Sequence, residues 1–164
     1  MFVASAGCGR PEGSEAKTGR LPERAPNFEL KDLSGKTVRL SDFQGKVTLL
    51  DFWATYCLPC HESIPAFQRM YERYRADGLE VVGISVDAYA EHVPEFVKER
   101  GMAYTVLLDS DETAMEAYGI RGLPETFLID RDGRLRDHWV GFDGQLEEEI
   151  RAAVRASLRG KDAS

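Results

Sequence analysis

Strand-like and helix-like segments alternate along most of the 164 residues and predict one α/β domain: a three-layer α/β/α sandwich on a mixed sheet, with an N-terminal β-hairpin extension. Three observations lead there. Two nearly unbroken apolar runs, residues 47–52 and 81–86, read as central strands covered on both faces. Each is followed by a stretch with apolar residues at helical spacing. The chain then closes with a strand pair about a turn and a last amphipathic helix, which adds antiparallel strands to the sheet.

Taken in order, residues 28–30 and 38–40 alternate apolar and polar about Gly35 and suggest a short hairpin. After the strand at 47–52, Ile64, Phe67, Tyr71 and Tyr74 recur on one face of a helix and form its core stripe. The strand at 81–86 is followed by a helix over 91–100, stopped by Gly101. Residues 104–108 read as a third strand and 111–118 as a short helix capped near Gly119. Residues 126–129 and 134–140 flank Arg131, Asp132 and Gly133, a hairpin signal. Leu146, Ile150, Val154 and Leu158 line one face of the final helix, with Glu147 four residues before Arg151.

Residues 1–25 are of different material from residues 26–160, the expected domain. The stretch 9–26 mixes Gly, Pro, Ser and charges with few apolar side chains and reads as a tether, because it buries too little to offset its ordering entropy. Ahead of it, Ser5, Ala6, Gly7 and Cys8 look like the end of a bacterial lipobox, in which the Cys is lipidated. Ser5 stands where Leu is usual, and Met1 to Ala4 supply no basic segment and no full apolar one. The expectation is an extracytoplasmic protein, periplasmic or held to the membrane by a lipid at Cys8, with a cytoplasmic one as the alternative. The net charge of −7 and the lack of a Lys/Arg cluster argue against nucleic-acid binding. No apolar run reaches the roughly 20 residues of a membrane span.

Chemistry concentrates at Cys57-Leu58-Pro59-Cys60, between the first central strand and its helix. A thiol there meets free N–H groups and the positive end of the helix dipole, which favour a thiolate. A second thiol three residues on resolves a mixed disulfide, so the pair is sufficient for thiol–disulfide exchange with no cofactor beyond itself. Cys57, preceded by a loop, is expected to be the exposed nucleophile and Cys60 the resolving thiol; Pro59 suits an early helical position. A zinc site would need two more ligands, and His61 alone lies close in sequence. A purely structural disulfide would close a loop too short to restrict the unfolded chain much. Trp53 and Tyr56 are expected to flank the pair, limiting approach, or to pack as core and rim. Asp51 interrupts the apolar strand, and its burial would raise its pKa.

The segment VTLLDFWATYCLPC at 47–60 resembles the active-site segment of the thioredoxin superfamily, and residues 25–142 resemble its TlpA-like branch, which holds the ResA and CcmG/DsbE oxidoreductases. Further points of similarity are Ala25-Pro26-Asn27-Phe28, Gly35-Lys36-Thr37-Val38, Pro65, and the run from Tyr118 through Gly122-Leu123-Pro124-Glu125-Thr126 to Asp130. The resemblance implies a thioredoxin-like fold and a cis Pro124 beside the redox pair, with the Leu123 backbone open to an extended substrate strand. It also implies that Asp51 exchanges a proton with Cys60. The implied partners are protein dithiol or disulfide clients and a membrane electron donor of the DsbD or CcdA kind. Glu125 resembles the Pro-Glu-Thr of CcmG proteins and is a candidate for tuning the thiols or binding a partner. Where ResA and CcmG proteins carry Glu three residues after the second Cys, this chain has Ser63, with Glu62 about 100° away on the helix, so cytochrome c maturation stays an open alternative. A peroxiredoxin is the rival enzyme, but Ala54 stands where its Thr belongs and no Pro lies between Asp42 and Cys57. A metal or haem-apoprotein chaperone is the rival binding function, with only His61 near the thiols as a further ligand.

Overall fold

The computed structural model describes residues 22–160; Cys8 and the rest of 1–21 lie outside them. Strands β1 (Glu29–Asp32) and β2 (Thr37–Arg39) form the hairpin, with Leu30 opposite Val38. Strand β3 (Val47–Trp53) is buried along its whole length, as its apolar run requires. There follow α1 (Cys60–Tyr74), β4 (Leu79–Ser85), α2 (Val93–Glu99), β5 (Thr105–Leu108), α3 (Thr113–Tyr118), β6 (Glu125–Ile129), β7 (Leu135–Val140) and α4 (Gly144–Leu158).

The strands make one sheet in the order β2-β1-β5-β4-β3-β6-β7. The central β3, β4 and β5 run parallel, while β1, β6 and β7 pair antiparallel with their neighbours. Because β1 pairs with β5, the hairpin continues the sheet. Neighbouring residues of β3 face opposite sides. Trp53 stacks on Phe96 of α2 at 5.4 Å, whereas Phe52 packs against Tyr118 of α3 at 5.2 Å. His61 of α1 also meets Phe96, and Arg69 of α1 pairs with Glu147 of α4. So α1, α2 and α4 cover one face and α3 the other.

Two helices are shorter than the sequence pattern suggests. The one expected over 91–100 begins at Val93, after a separate 3-10 turn Ala90–His92, because Pro94 has no N–H to bond back to residue 90. The one expected over 111–118 begins at Thr113, where the Asp109 carboxylate accepts from the N–H groups of Ala114 and Met115 at 3.0 and 2.8 Å. The chain also joins the domain earlier than residue 26. Leu135 N–H donates to the Glu23 carbonyl and Ala25 N–H to the Gly133 carbonyl, and the Glu23 carboxylate pairs with Arg134.

Candidate active site

The end of β3 and the head of α1 place the two sulfurs. Cys57 N–H donates to the Ala54 carbonyl at 3.1 Å, which turns the chain out of the sheet; Pro59 caps the helix with φ −61° and Cys60 is its first residue. Cys57 and Cys60 are joined in a disulfide, S–S 2.07 Å. The Cys60 N–H points at Cys57 Sγ across 3.3 Å, so a thiolate formed at Cys57 meets a backbone donor and the helix dipole together. Access separates the two: Cys57 retains 7 % exposure and Cys60 none. Cys57 is therefore far less open than expected of an exposed nucleophile, yet it is the residue of the two that solvent reaches.

The residues around the pair divide between rim and core. Tyr56 and Leu58 stand out at 70 % and 75 % exposed, and Pro59 is exposed too. Trp53 does not flank the sulfurs at the surface: it is wholly buried against Phe96, because its position in β3 turns it under the helices. On α1, Ser63 is buried and its hydroxyl donates to the Cys60 carbonyl, while Glu62 points to solvent. Glu62 thus does not replace the missing inward carboxylate.

Two supports of this loop escaped the sequence reading. Asp87, nearly buried just beyond β4, accepts from the Thr55 N–H, the Thr55 hydroxyl and the Ser85 hydroxyl. His61 Nε2 lies 2.9 Å from the Thr55 carbonyl and its Nδ1 lies 3.2 Å from Arg100, so both ring nitrogens are engaged with groups other than the sulfurs. The available signal for Asp87 was a carboxylate directly after a buried parallel strand, where the β3–β4 register sets Ser85 beside Trp53.

The Leu123–Pro124 peptide is cis, and pairing of Glu125 with Phe52 sets Pro124 level with the end of β3. The backbone N–H and C=O of Leu123 make no hydrogen bond among the described residues. Glu125 faces the interior, with 6 % exposure. Its carboxylate accepts from Arg121 N–H at 3.2 Å and lies 3.0 Å from His138 Nε2, whose ring stacks on Phe127 at 4.4 Å. A carboxylate so enclosed clamps the cis-proline loop and does not present itself to a partner; His138 is a site residue the sequence reading missed.

Asp51 lies on the α1 side of the sheet, wholly buried. Its Oδ1 accepts from the Thr126 hydroxyl at 3.0 Å, while Oδ2 has no protein partner. Burial pushes its carboxyl up to about 8, against the smaller opposing effect of the Thr126 bond. An acid with that pKa takes up and releases protons near neutrality, as a base for a thiol must. Nearby, burial and then the Asp51 charge hold the Tyr104 phenol well above its usual range.

The fold and the paired sulfurs make this a thioredoxin-like thiol–disulfide oxidoreductase. A model of the AhpC/TSA family matches residues 21–138, and the chain belongs to that family. The thiol–disulfide oxidoreductase ResA of Bacillus anthracis is 34% identical over 136 residues, covering 83% of this chain and 78% of that protein. ResA of Bacillus subtilis is 39% identical over 111 residues, covering 68% and 62%. Among solved structures, a thiol:disulfide interchange protein assigned to the DsbE type, from Chlorobium tepidum, superposes with a TM-score of 0.81 at 35% identity, covering 85% of this chain and 99% of that one.

Proposed function

We propose that this protein reduces disulfides of extracytoplasmic protein clients through Cys57 and Cys60. The observation that carries the reading is the difference in exposure between two cysteines whose sulfurs are within bonding distance at a helix head. In the reduced protein the Cys57 thiolate attacks a client disulfide: a bond forms between Cys57 Sγ and one client sulfur, and the other client sulfur leaves as a thiolate that takes a proton. Cys60 then gives its proton to Asp51, and its sulfur attacks Cys57 Sγ. The mixed disulfide breaks and the client departs with its second sulfur reduced. The client has gained two electrons and two protons, and the protein is left as the Cys57–Cys60 disulfide. The pair is itself the redox group, so no further cofactor enters.

The open Leu123 backbone offers an edge to an extended client segment, with Tyr56, Leu58 and Pro59 as its apolar rim. Glu125 serves from within, holding that edge through Arg121 and His138. The direction of transfer rests on how little stabilises the Cys57 thiolate beyond the Cys60 N–H and the helix dipole. Leu58 and Pro59 carry no charge and His61 is engaged elsewhere, so the dithiol form is not strongly favoured and the couple is reducing. Such a reductase outside the cytosol is recharged by a membrane thiol donor of the DsbD or CcdA kind, and a lipid on Cys8 would hold it near that donor. Among the described residues no helix is long and apolar enough to cross a membrane. Cytochrome c maturation loses support, since Glu125 is turned inward and Ser63 replaces the helix carboxylate.

Trapping tests the reading. Cys60→Ser protein added to an extracytoplasmic extract should accumulate covalent adducts through Cys57, released by dithiothreitol. Adducts that persist in a Cys57→Ser/Cys60→Ser protein, or none at all, would refute it. Peroxide consumption by the reduced protein checks the peroxidase alternative, and the expected result is none above the thiol background.

A further inference from the structure

Three buried polar atoms make no hydrogen bond within the protein among the described residues: Asp51 Oδ2, Trp53 Nε1 and the Tyr104 hydroxyl. They belong to one place. Asp51 and Gly83 are paired across β3 and β4, and Trp53 lies two residues along the same face. Gly83 and Val106 are paired across β4 and β5, which puts Tyr104, two residues before Val106, on that face also. A Cβ on Gly83 would stand 2.8 Å from Trp53 Nε1 and 3.2 Å from Tyr104 Cε2, so the indole and the phenol ring converge on the bare backbone of Gly83. The Tyr104 ring in turn packs on Tyr71 of α1, the helix that begins with Cys60.

The chemistry of the three atoms is complementary to a single water. Trp53 Nε1 is a donor only, ionised Asp51 Oδ2 an acceptor only, and the phenol can do either. A water that accepts from the indole and the phenol has a hydrogen left for Oδ2, and a buried water with three partners is well held. When Asp51 is protonated, its O–H donates to the water and the phenol turns to accept. Tyr104 therefore keeps the water bonded in both protonation states, which a phenylalanine could not do.

We propose that Tyr104 is a positioning residue for Asp51: with Trp53 it holds a buried water against Oδ2, and so sets how readily the carboxylate takes the Cys60 proton. This rests on the reading of Asp51 given under the proposed function. The ionisable groups on this side of the sheet around Asp51 include the Tyr104 phenol, the Tyr71 phenol packed on it, His61 beside Phe96 and, once the disulfide is reduced, the Cys60 thiol at the head of α1; Phe96 of α2, Thr126 of β6, Gly83 of β4 and the buried Ile150 and Val154 of α4 present none.

The test follows the Asp51 carboxyl by ¹³C NMR titration in wild-type and Tyr104→Phe protein, together with the pH dependence of mixed-disulfide resolution. Loss of the phenol costs the charged form, whose bond to the water is charge-assisted, more than it costs the neutral one, so the Asp51 midpoint should rise by about one pH unit and resolution at pH 7 should slow about tenfold. The same substitution should have no effect on the rate in an Asp51→Asn background. Trp53→Phe, which removes the indole donor to the same water, should raise the midpoint too and serves as the second variant if Tyr104→Phe does not fold. An Asp51 midpoint that stays at its wild-type value in the folded variant overturns the proposal. If Asp51→Asn leaves resolution unchanged, the proton-acceptor reading fails by itself, and the midpoint still decides the role of Tyr104.

Discussion

A carboxyl that titrates near 3.9 in the unfolded chain and at about 8 in the folded one holds an extra proton in the native state between those values. The stability contributed by Asp51 is therefore full below about pH 4 and is lost as the pH rises toward 8. At pH 7 the loss is on the order of 4 kcal/mol. Asp51→Asn keeps an acceptor for the Thr126 hydroxyl and removes the titration. It should stabilise the protein by about 2 to 4 kcal/mol at pH 7 and flatten that part of the pH dependence, as read by urea denaturation at pH 5 and pH 8. An unchanged slope would show that Asp51 is not the group responsible. Asp51 and the two cysteines were legible because each breaks a local pattern, a charge in an apolar strand and two thiols at a junction. Tyr104 was not: in the sequence it is one more aromatic residue starting a strand, and only the β4–β5 register brings it to Gly83 and Asp51. Trp53 was half legible, since alternation along β3 decides between core and rim only when the helix-covered face is known.

The loop carrying Cys57 is held by side chains from other elements, and these supports make separate predictions. Asp87→Ala leaves the Thr55 N–H and hydroxyl and the Ser85 hydroxyl without their acceptor, at about 1–3 kcal/mol for each group that finds no water. The expected result is a clear loss of stability together with faster hydrogen exchange confined first to the Thr55 turn. His138→Ala leaves one oxygen of a nearly buried Glu125 unpaired and removes the ring stacked on Phe127, so about 1–3 kcal/mol should be lost. Client reduction should then fall through a higher KM, because the Leu123 edge is less well held. An unchanged KM would separate Glu125 from the substrate edge. At this level the sequence showed which elements exist better than where they start. Pro94 and the Asp109 carboxylate shorten two helices through hydrogen bonds that periodicity does not register. The partner of Glu125 comes from the next strand, thirteen residues on, and the residue order shows nothing of its inward turn.

Seven strands in one sheet bring together, at one end of the central strands, the end of β3, the head of α1 and the cis-proline entry to β6. The apolar runs and the closing hairpin made that architecture legible, because buried parallel strands and polar-alternating edge strands differ in composition. The β1–β5 pairing was not, since a short hairpin can extend a sheet or stand off it without a change in its own pattern. A reducing couple has a thermodynamic consequence for the whole fold: its disulfide is harder to reduce in the native state than in the unfolded chain, so the oxidised protein should unfold at higher denaturant than the reduced one. The reverse order would indicate an oxidant. The most direct test of the account is the reduction potential of the Cys57/Cys60 couple, measured by equilibration in dithiothreitol or glutathione buffers with mass-tagging of free thiols. A reductase should show a value near the thioredoxin end of the scale, about −270 mV; a value near the DsbA end, about −120 mV, would make the protein a disulfide donor instead.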